Sequence, residues 1–282
     1  MAEILSGKPV AAALCEKTRE DALALKEKGI APLLCIVRLG EDPSDLSYER
    51  GIEKRAGQVE VAIRKEVLSV DTDAETLIEL LHRLSADDSV HGVLLFRPLP
   101  RHLRSRQAEI YDALCPQKDV DGMTDGSMAG VFMGKPLGFP PCTPAACMEM
   151  LDYYHIDPCS KDAVVVGRSP VVGKPLSMLL LNRNATVTVC HTRTADLPAE
   201  ARRGQLLLAC AGSAGLLGRE HIAPGAVVLD VGVNWDAAQG KLVGDVRFDE
   251  AEEAAAITPV PGGVGAVTTA ILLRHVVTAA MQ

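Results

Sequence analysis

The residues with the most chemical promise surround one glycine turn. Val164-Val165-Val166 is an apolar run that feeds Gly167-Arg168-Ser169-Pro170-Val171-Val172-Gly173, a strand passing through a tight turn into a helix. Unpaired N–H groups at such a helix start, with the positive end of its dipole, suit a pyrophosphate. The spacing departs from GxGxxG: Ser169 holds the second glycine's place and Gly173 sits one beyond the third. A strand-to-helix turn with no ligand is the competing reading. Roughly two dozen residues on, where NAD-specific folds carry an acid for the ribose hydroxyls, the next strand ends in His191-Thr192-Arg193-Thr194. No acid stands there. Arg168 and Arg193, with the Thr192 hydroxyl, are suited instead to clamp a 2′-phosphate, because a guanidinium matches that charged, planar contact. NADP is the expected cofactor, with NAD as the alternative, and Gly167, Arg168, Ser169, Val172, Gly173, Thr192 and Arg193 are its expected contacts. Two solvated surface arginines are the plainer reading.

Elements able to position that turn follow from the patterning. Pro9 to Lys28 carries apolar residues at helical spacing and stops at Gly29. Leu33 to Arg38 reads as a strand, and Asp42-Pro43 then caps a helix reaching about Gly57. Val59 to Leu68 reads as strand, Asp73 to Ser85 as helix and Val90 to Phe96 as a buried strand, which makes a βαβαβ half. Between Asp121 and Pro141 the chain turns rich in Gly, Met and Pro, a natural domain boundary. Beyond Thr143-Pro144 the alternation restarts: strands at Ala163 to Val166, Thr186 to Cys190, Gln205 to Cys210 and Ala226 to Asp230, a helix at Val172 to Asn182, and a last helix from Val267 to Ala280. The fold class is therefore α/β: two α/β domains, the second a Rossmann-like, doubly wound parallel sheet.

Composition agrees. The 282 residues are 48% hydrophobic and only 3% aromatic, which suits parallel strands under helices. A net charge of −8 speaks against nucleic acid as a partner. No basic leader and no long apolar run appears, so a cytoplasmic protein away from membranes is expected. The eight cysteines form no CxxC, and Cys142 and Cys147 lack the partners of a metal site. No metal is expected.

Four longer strings then converge: Lys118-Asp119-Val120-Asp121-Gly122, Pro141-Cys142-Thr143-Pro144, Gly167-Arg168-Ser169 with Val172-Gly173-Lys174-Pro175, and Thr258-Pro259-Val260-Pro261-Gly262-Gly263-Val264-Gly265. Together they resemble the methylenetetrahydrofolate dehydrogenase/cyclohydrolase family, in the family's order over nearly the whole chain. The resemblance implies a folate-binding catalytic domain over residues 1–140, completed by the C-terminal helix 267–282, and an NADP-binding domain over 141–266. It also implies a cleft between them and a homodimer. Asp121 is then expected to hold the pterin ring and Tyr48 to lie near the reacting carbon, as the catalytic pair. Phe96, Gly265 and Ala266 join them around the substrate, while Val233 and Thr268 approach the nicotinamide. In the glycine loop, Ala266 and Val267 stand where the family usually has proline and methionine.

Three departures bear on mechanism. Family members that perform both reactions carry a lysine four residues after the tyrosine, and here that position is Ile52. The glutamine expected to orient the lysine is Phe96, followed by Arg97, and a serine three residues before the tyrosine is Asp45. Lys54 points away from Tyr48 by helical geometry, and Arg55 lies a turn beyond. Hydride transfer needs mainly alignment, whereas hydrolysis of the methenyl cation needs water activated and protons handled. The expectation is oxidation of 5,10-methylenetetrahydrofolate with NADP, cyclohydrolase activity lost and the product passed to a separate cyclohydrolase. Its rivals are a bifunctional enzyme in which Arg55 or Arg97 stands in for the lysine, and a catalytically silent folate- or nucleotide-binding paralogue.

Overall fold

The structure, a computed structural model, describes residues 2–237 and 240–282. In chain order the elements are β1 (Glu3–Ile4), α1 (Gly7–Glu27), β2 (Leu33–Leu39), α2 (Pro43–Gln58), β3 (Ala62–Leu68), α3 (Ala74–Ala86), β4 (Gly92–Leu95), α4 (Gln107–Asp112), α5 (Asp125–Met133) and α6 (Cys142–Tyr153). They continue with β5 (Asp162–Val166), α7 (Gly173–Asn182), β6 (Thr186–Cys190), α8 (Leu197–Ala201), β7 (Leu206–Ala209), β8 (Val227–Asp230), β9 (Asn234–Asp236), β10 (Lys241–Val243), β11 (Ala256–Ile257) and α9 (Thr268–Ala279).

The chain forms two compact units, one of residues 13–142 and 269–282, the other of 1–12 and 143–268. This differs from a division at 140. The first dozen residues group with the second half because β1 pairs in parallel with β11, Glu3 opposite Ala256 and Ile4 opposite Ile257. A two-residue strand leaves no periodicity to read.

In the unit of residues 13–142 and 269–282, three parallel strands run in the order β3-β2-β4. Strand β2 is buried along its centre, and α3 lays Leu77, Leu80, Leu81 and Leu84 at three- and four-residue spacing against the core. With β2 in the middle and crossovers leaving to both sides, the carboxyl ends of β2 and β4 form a topological switch point, the usual place for a ligand in an open α/β sheet. Strand β3 begins at Ala62, not Val59, because α2 runs on to Gln58 and Glu60 takes a left-handed φ of 63°. Within the Gly-, Met- and Pro-rich stretch read as a domain boundary lies α5, started by Thr124 accepting from Ser127 N at 3.1 Å and ended by left-handed Gly134.

The other unit is a six-stranded parallel sheet, β1-β11-β8-β7-β5-β6, with a separate β9–β10 hairpin. Strand β5 lies between β6 and β7, so this sheet also has a switch point, at the end of β5. Its core joins Val164, Val166, Leu207 and Val228 from the strands to Ala201, Leu217 and Ile222. All eight cysteines are free thiols. Among the described residues no helix is long and apolar enough to cross a membrane, and no group of three His, Cys, Asp or Glu is placed to hold a metal.

Candidate active site and dinucleotide turn

Tyr48 lies on α2, one residue from that helix's buried stripe of Glu49, Ile52 and Ala56. Asp42 caps the helix by accepting from Ser44 N at 2.8 Å, and Pro43 fills its first turn. The Tyr48 ring packs against Phe96 with centroids 5.7 Å apart and planes tilted by 42°. Phe96 follows β4, and its N–H extends the ladder to Val37 O at 3.0 Å. Although Tyr48 is 46% exposed, burial pushes its phenol upward, with Cys142 and the Asp121 carboxylate adding to the push; Arg97 and a hydrogen bond with Thr269 oppose it. Tyr48 therefore stays a protonated hydroxyl, a donor as well as an acceptor.

Asp121 meets this pair from the segment between α4 and α5. An Arg97 guanidinium nitrogen donates to its Oδ2 in an ion pair that is mostly shielded from solvent. Arg97 also stands 6.0 Å over the Tyr111 ring. Burial pushes the Asp121 carboxyl upward, while the charge and hydrogen bond of Arg97 pull it back; Asp119 adds to the push. Burial works against the charge on Arg97, but Asp121 outweighs it and holds that guanidinium more firmly protonated.

The Asp121 loop is fixed on both flanks. Asp119, fully buried, accepts from Met123 N at 3.0 Å and Thr124 N at 2.8 Å. Gly122 has φ of 65°, and a Cβ there would run into the backbone of Phe139 to Pro141, so only glycine fits. The preceding carbonyl, Val120 O, accepts from His275 Nδ1 at 2.9 Å and from the Cys142 thiol at 3.4 Å.

Ile52 is 0% exposed, sealed into the core. The two cations weighed as substitutes for a lysine separate clearly. Arg55 hydrogen-bonds the Cys15 thiol of α1, whereas Arg97 joins Tyr48, Phe96 and Asp121. Asp45 is partly buried near the start of α2, and burial is the main cause that raises its carboxyl.

In the other unit, the turn after β5 is a tight strand-to-helix connection. Gly167 has φ of 135°, and a Cβ there would strike the Cys210 carbonyl. Gly173 packs so closely on the Gly167 carbonyl that a side chain is excluded. Ser169 Oγ accepts from Val172 N at 3.1 Å and Gly173 N at 3.4 Å, ordering the start of α7. Arg168 and Arg193 leave neighbouring strand ends, since Val166 pairs with Cys190. Both are exposed, with Thr192 beside Arg193, and neither has an ion pair among the described residues. The loop of residues 259–266 lines a cavity of about 380 Å³ with Asp230, Val231 and Val233. Gly265 and Ala266 are part of that wall, and Thr268 Oγ1 donates to Gly265 O at 3.1 Å.

The tetrahydrofolate dehydrogenase/cyclohydrolase catalytic domain matches residues 5–121, and the NAD(P)-binding domain of the same family matches 141–282. The chain belongs to the tetrahydrofolate dehydrogenase/cyclohydrolase family. It is 47% identical over 281 residues to a bifunctional protein FolD of Carboxydothermus hydrogenoformans, covering 99% of this chain and 97% of that one. Among solved structures it resembles the bifunctional FolD of Campylobacter jejuni with a TM-score of 0.95 at 37% identity, covering 100% of this chain and 99% of that one. The Trypanosoma brucei dehydrogenase-cyclohydrolase complexed with NADP cofactor and inhibitor matches with a TM-score of 0.91 at 33% identity, covering 99% and 97%. The family's NAD(P)-binding domain thus includes the Gly167 turn, and its catalytic domain includes Tyr48, Arg97 and Asp121.

Sequence reasoning missed Cys142 and His275 as supports of the Asp121 segment. Both act on a backbone carbonyl, which no side-chain motif advertises.

Proposed function

We propose that this chain oxidises 5,10-methylenetetrahydrofolate to 5,10-methenyltetrahydrofolate with NADP and also hydrolyses the methenyl product, with Arg97 as the cation of the site. The observation that carries this reading is the Arg97–Asp121 ion pair beside Tyr48. Relatives 43–47% identical to the chain are named bifunctional, which favours retention of both activities over the loss expected from Ile52. NADP suits the dinucleotide turn: Gly167 lets the chain pass tightly beside the Cys210 carbonyl into α7, and the exposed Arg168 and Arg193, without ion pairs among the described residues, offer guanidinium groups for a 2′-phosphate. When bound, the nicotinamide supplies the hydride acceptor.

The chain's own residues divide the remaining work. Asp121 accepts hydrogen bonds from the amino-pyrimidine edge of the pterin. Tyr48, kept protonated, orients the one-carbon bridge on the same helix turn. Arg97 is too basic to shuttle a proton, so its part in hydrolysis is electrostatic: water adding to the methenyl cation gives up a proton to solvent, and Arg97 steadies the negative charge that builds on that oxygen as it loses its second proton, the C–N5 bond opens and N5 takes a proton from solvent. The family's homodimer and a cytoplasmic location belong to the same proposal.

A dehydrogenase alone is the second reading, favoured by the sealed Ile52 and the apolar Phe96 at the position of the orienting glutamine. One assay series decides. Purified protein given methylenetetrahydrofolate should reduce NADP, and supplied methenyltetrahydrofolate should convert to the formyl form faster than in buffer. Conversion at the buffer rate would establish the second reading; reduction of neither NADP nor NAD would overturn both.

A further inference from the structure

His275 is the one buried histidine of α9 whose ring is aimed at the loop of the candidate site. It is 8% exposed, stacks on Phe139 with centroids 4.8 Å apart and planes 29° apart, and directs Nδ1 at Val120 O from 2.9 Å. Val120 immediately precedes Asp121, and its carbonyl and the Asp121 backbone N–H belong to one peptide plane. Fixing that oxygen therefore fixes the plane from which the Asp121 side chain departs. The same oxygen takes the Cys142 thiol at 3.4 Å, and Phe139, which stacks on the ring, borders the space that excludes a side chain at Gly122. Helix, loop and ring thus converge on three consecutive residues, Val120 to Gly122.

We infer that His275 is a positioning residue for folate recognition: its Nδ1–H holds the Val120 carbonyl and through it sets the direction of the Asp121 carboxylate. The inference rests on the reading of Asp121 as the pterin's acceptor. Nδ1 must carry the proton, because a carbonyl can only accept. A ring that merely filled the core would leave folate affinity untouched once the protein had folded. A ring that aims the carboxylate would change folate binding while leaving the dinucleotide turn alone.

The test compares His275→Leu, which keeps bulk and removes the donor, with His275→Asn, whose amide N–H can reach the same carbonyl. In the full chain, His275→Leu should raise KM for methylenetetrahydrofolate about tenfold, leave KM for NADP within about twofold, and speed amide exchange at Gly122 and Met123. His275→Asn should recover most of the folate affinity. An unchanged folate KM in a folded leucine variant overturns the inference. Asp121→Asn separates the two layers: if that variant binds folate normally, the reading of Asp121 falls, whereas faster exchange of the loop in His275→Leu still stands or fails independently. Independently of any variant, ¹⁵N-histidine spectra of the unaltered protein should show the Nδ1–H tautomer; an Nε2–H tautomer overturns the inference as well.

Discussion

Arg97, two residues beyond the end of β4, closes an ion pair onto Asp121, while its chain neighbour Phe96 packs on Tyr48. A guanidinium is chemically similar to the N3–C2–amino edge of a pterin, so Arg97 occupies the kind of donor position the substrate is proposed to take. Its charge and hydrogen bond oppose the rise that burial imposes on the Asp121 carboxyl.

Arg97→Leu should therefore do two separable things. Without the guanidinium, burial is left to push the Asp121 carboxyl higher, so the acidic limb of the dehydrogenase pH profile moves to higher pH. Hydrolysis of supplied methenyltetrahydrofolate should fall about 100-fold, the scale of one lost charge-stabilising donor, while the dehydrogenase kcat falls much less. Arg97→Lys should restore part of the hydrolysis. Equal loss of both activities in Arg97→Leu would show that the side chain serves folding or general binding instead.

Ile52→Lys restores the residue that the bifunctional pattern usually carries, yet at a position that is 0% exposed here. An ammonium placed in that core has to shed water without a partner, and the expected cost is about 3 kcal/mol or more. Chemical denaturation should show a lowered midpoint. A folded Ile52→Lys protein of unchanged stability would mean that α2 can turn this position toward solvent.

Helix α2 is held by charge as well as by packing. Glu49, 4% exposed, accepts from Arg38 Nε at 3.0 Å and pairs with Lys65 Nζ at 2.8 Å. Burial works against its ionised form, but Lys65 and Arg38 prevail and hold the carboxyl below its ordinary value. Its contribution is thus present above the ordinary carboxylate value and is lost as pH falls through the lowered one. Glu49→Leu or Arg38→Met alone should cost about 3–5 kcal/mol by stranding the other charge. The double variant Arg38→Met/Glu49→Leu should recover much of that. Additive losses in a double-mutant cycle would disprove the coupling.

Much of this arrangement was legible in the sequence for a physical reason: long elements announce themselves by period. Strand β2 and helix α3 bury whole stripes, and the Gly167 turn needs conformations that only glycine supplies, so each left a local signature. The alternatives for the missing lysine were also visible as residues, Arg55 and Arg97, but choosing between them required the fold, because Arg55 is drawn to Cys15 and Arg97 to Asp121. Strand β1 and helix α5 were missed, one because two residues carry no pattern, the other because its glycines and methionines resemble a loop until Thr124 and Gly134 are seen as its caps. His275 sits among apolar neighbours in α9 and reads as core; its target is a carbonyl more than half the chain away.

Acid should separate the two units. Burial pushes Asp230, at the end of β8, from its ordinary 3.8 to about 6, against the N–H groups of Val246 and Asp245 that stabilise its charge. Burial lowers His275 from its ordinary 6.5 to about 4. A raised carboxyl binds its proton more tightly in the fold, so its stabilisation is complete below 3.8 and disappears as pH rises through about 6. A lowered histidine does the reverse: its stabilisation is complete above 6.5 and is lost as pH falls through about 4. Each effect is about 3 kcal/mol. Between pH 6.5 and 4 the unit holding β8 should therefore gain from Asp230, while the unit holding α9 loses through His275, with Asp121 offsetting part of that loss. Hydrogen exchange, corrected for intrinsic rates, should show β7–β8 peptides better protected at pH 5 than at pH 7 and β2–β4 and α9 peptides less so. Asp230→Asn should abolish the first change and His275→Asn should weaken the second. Parallel loss of protection in both units would reject the assignment of opposite signs to these two groups.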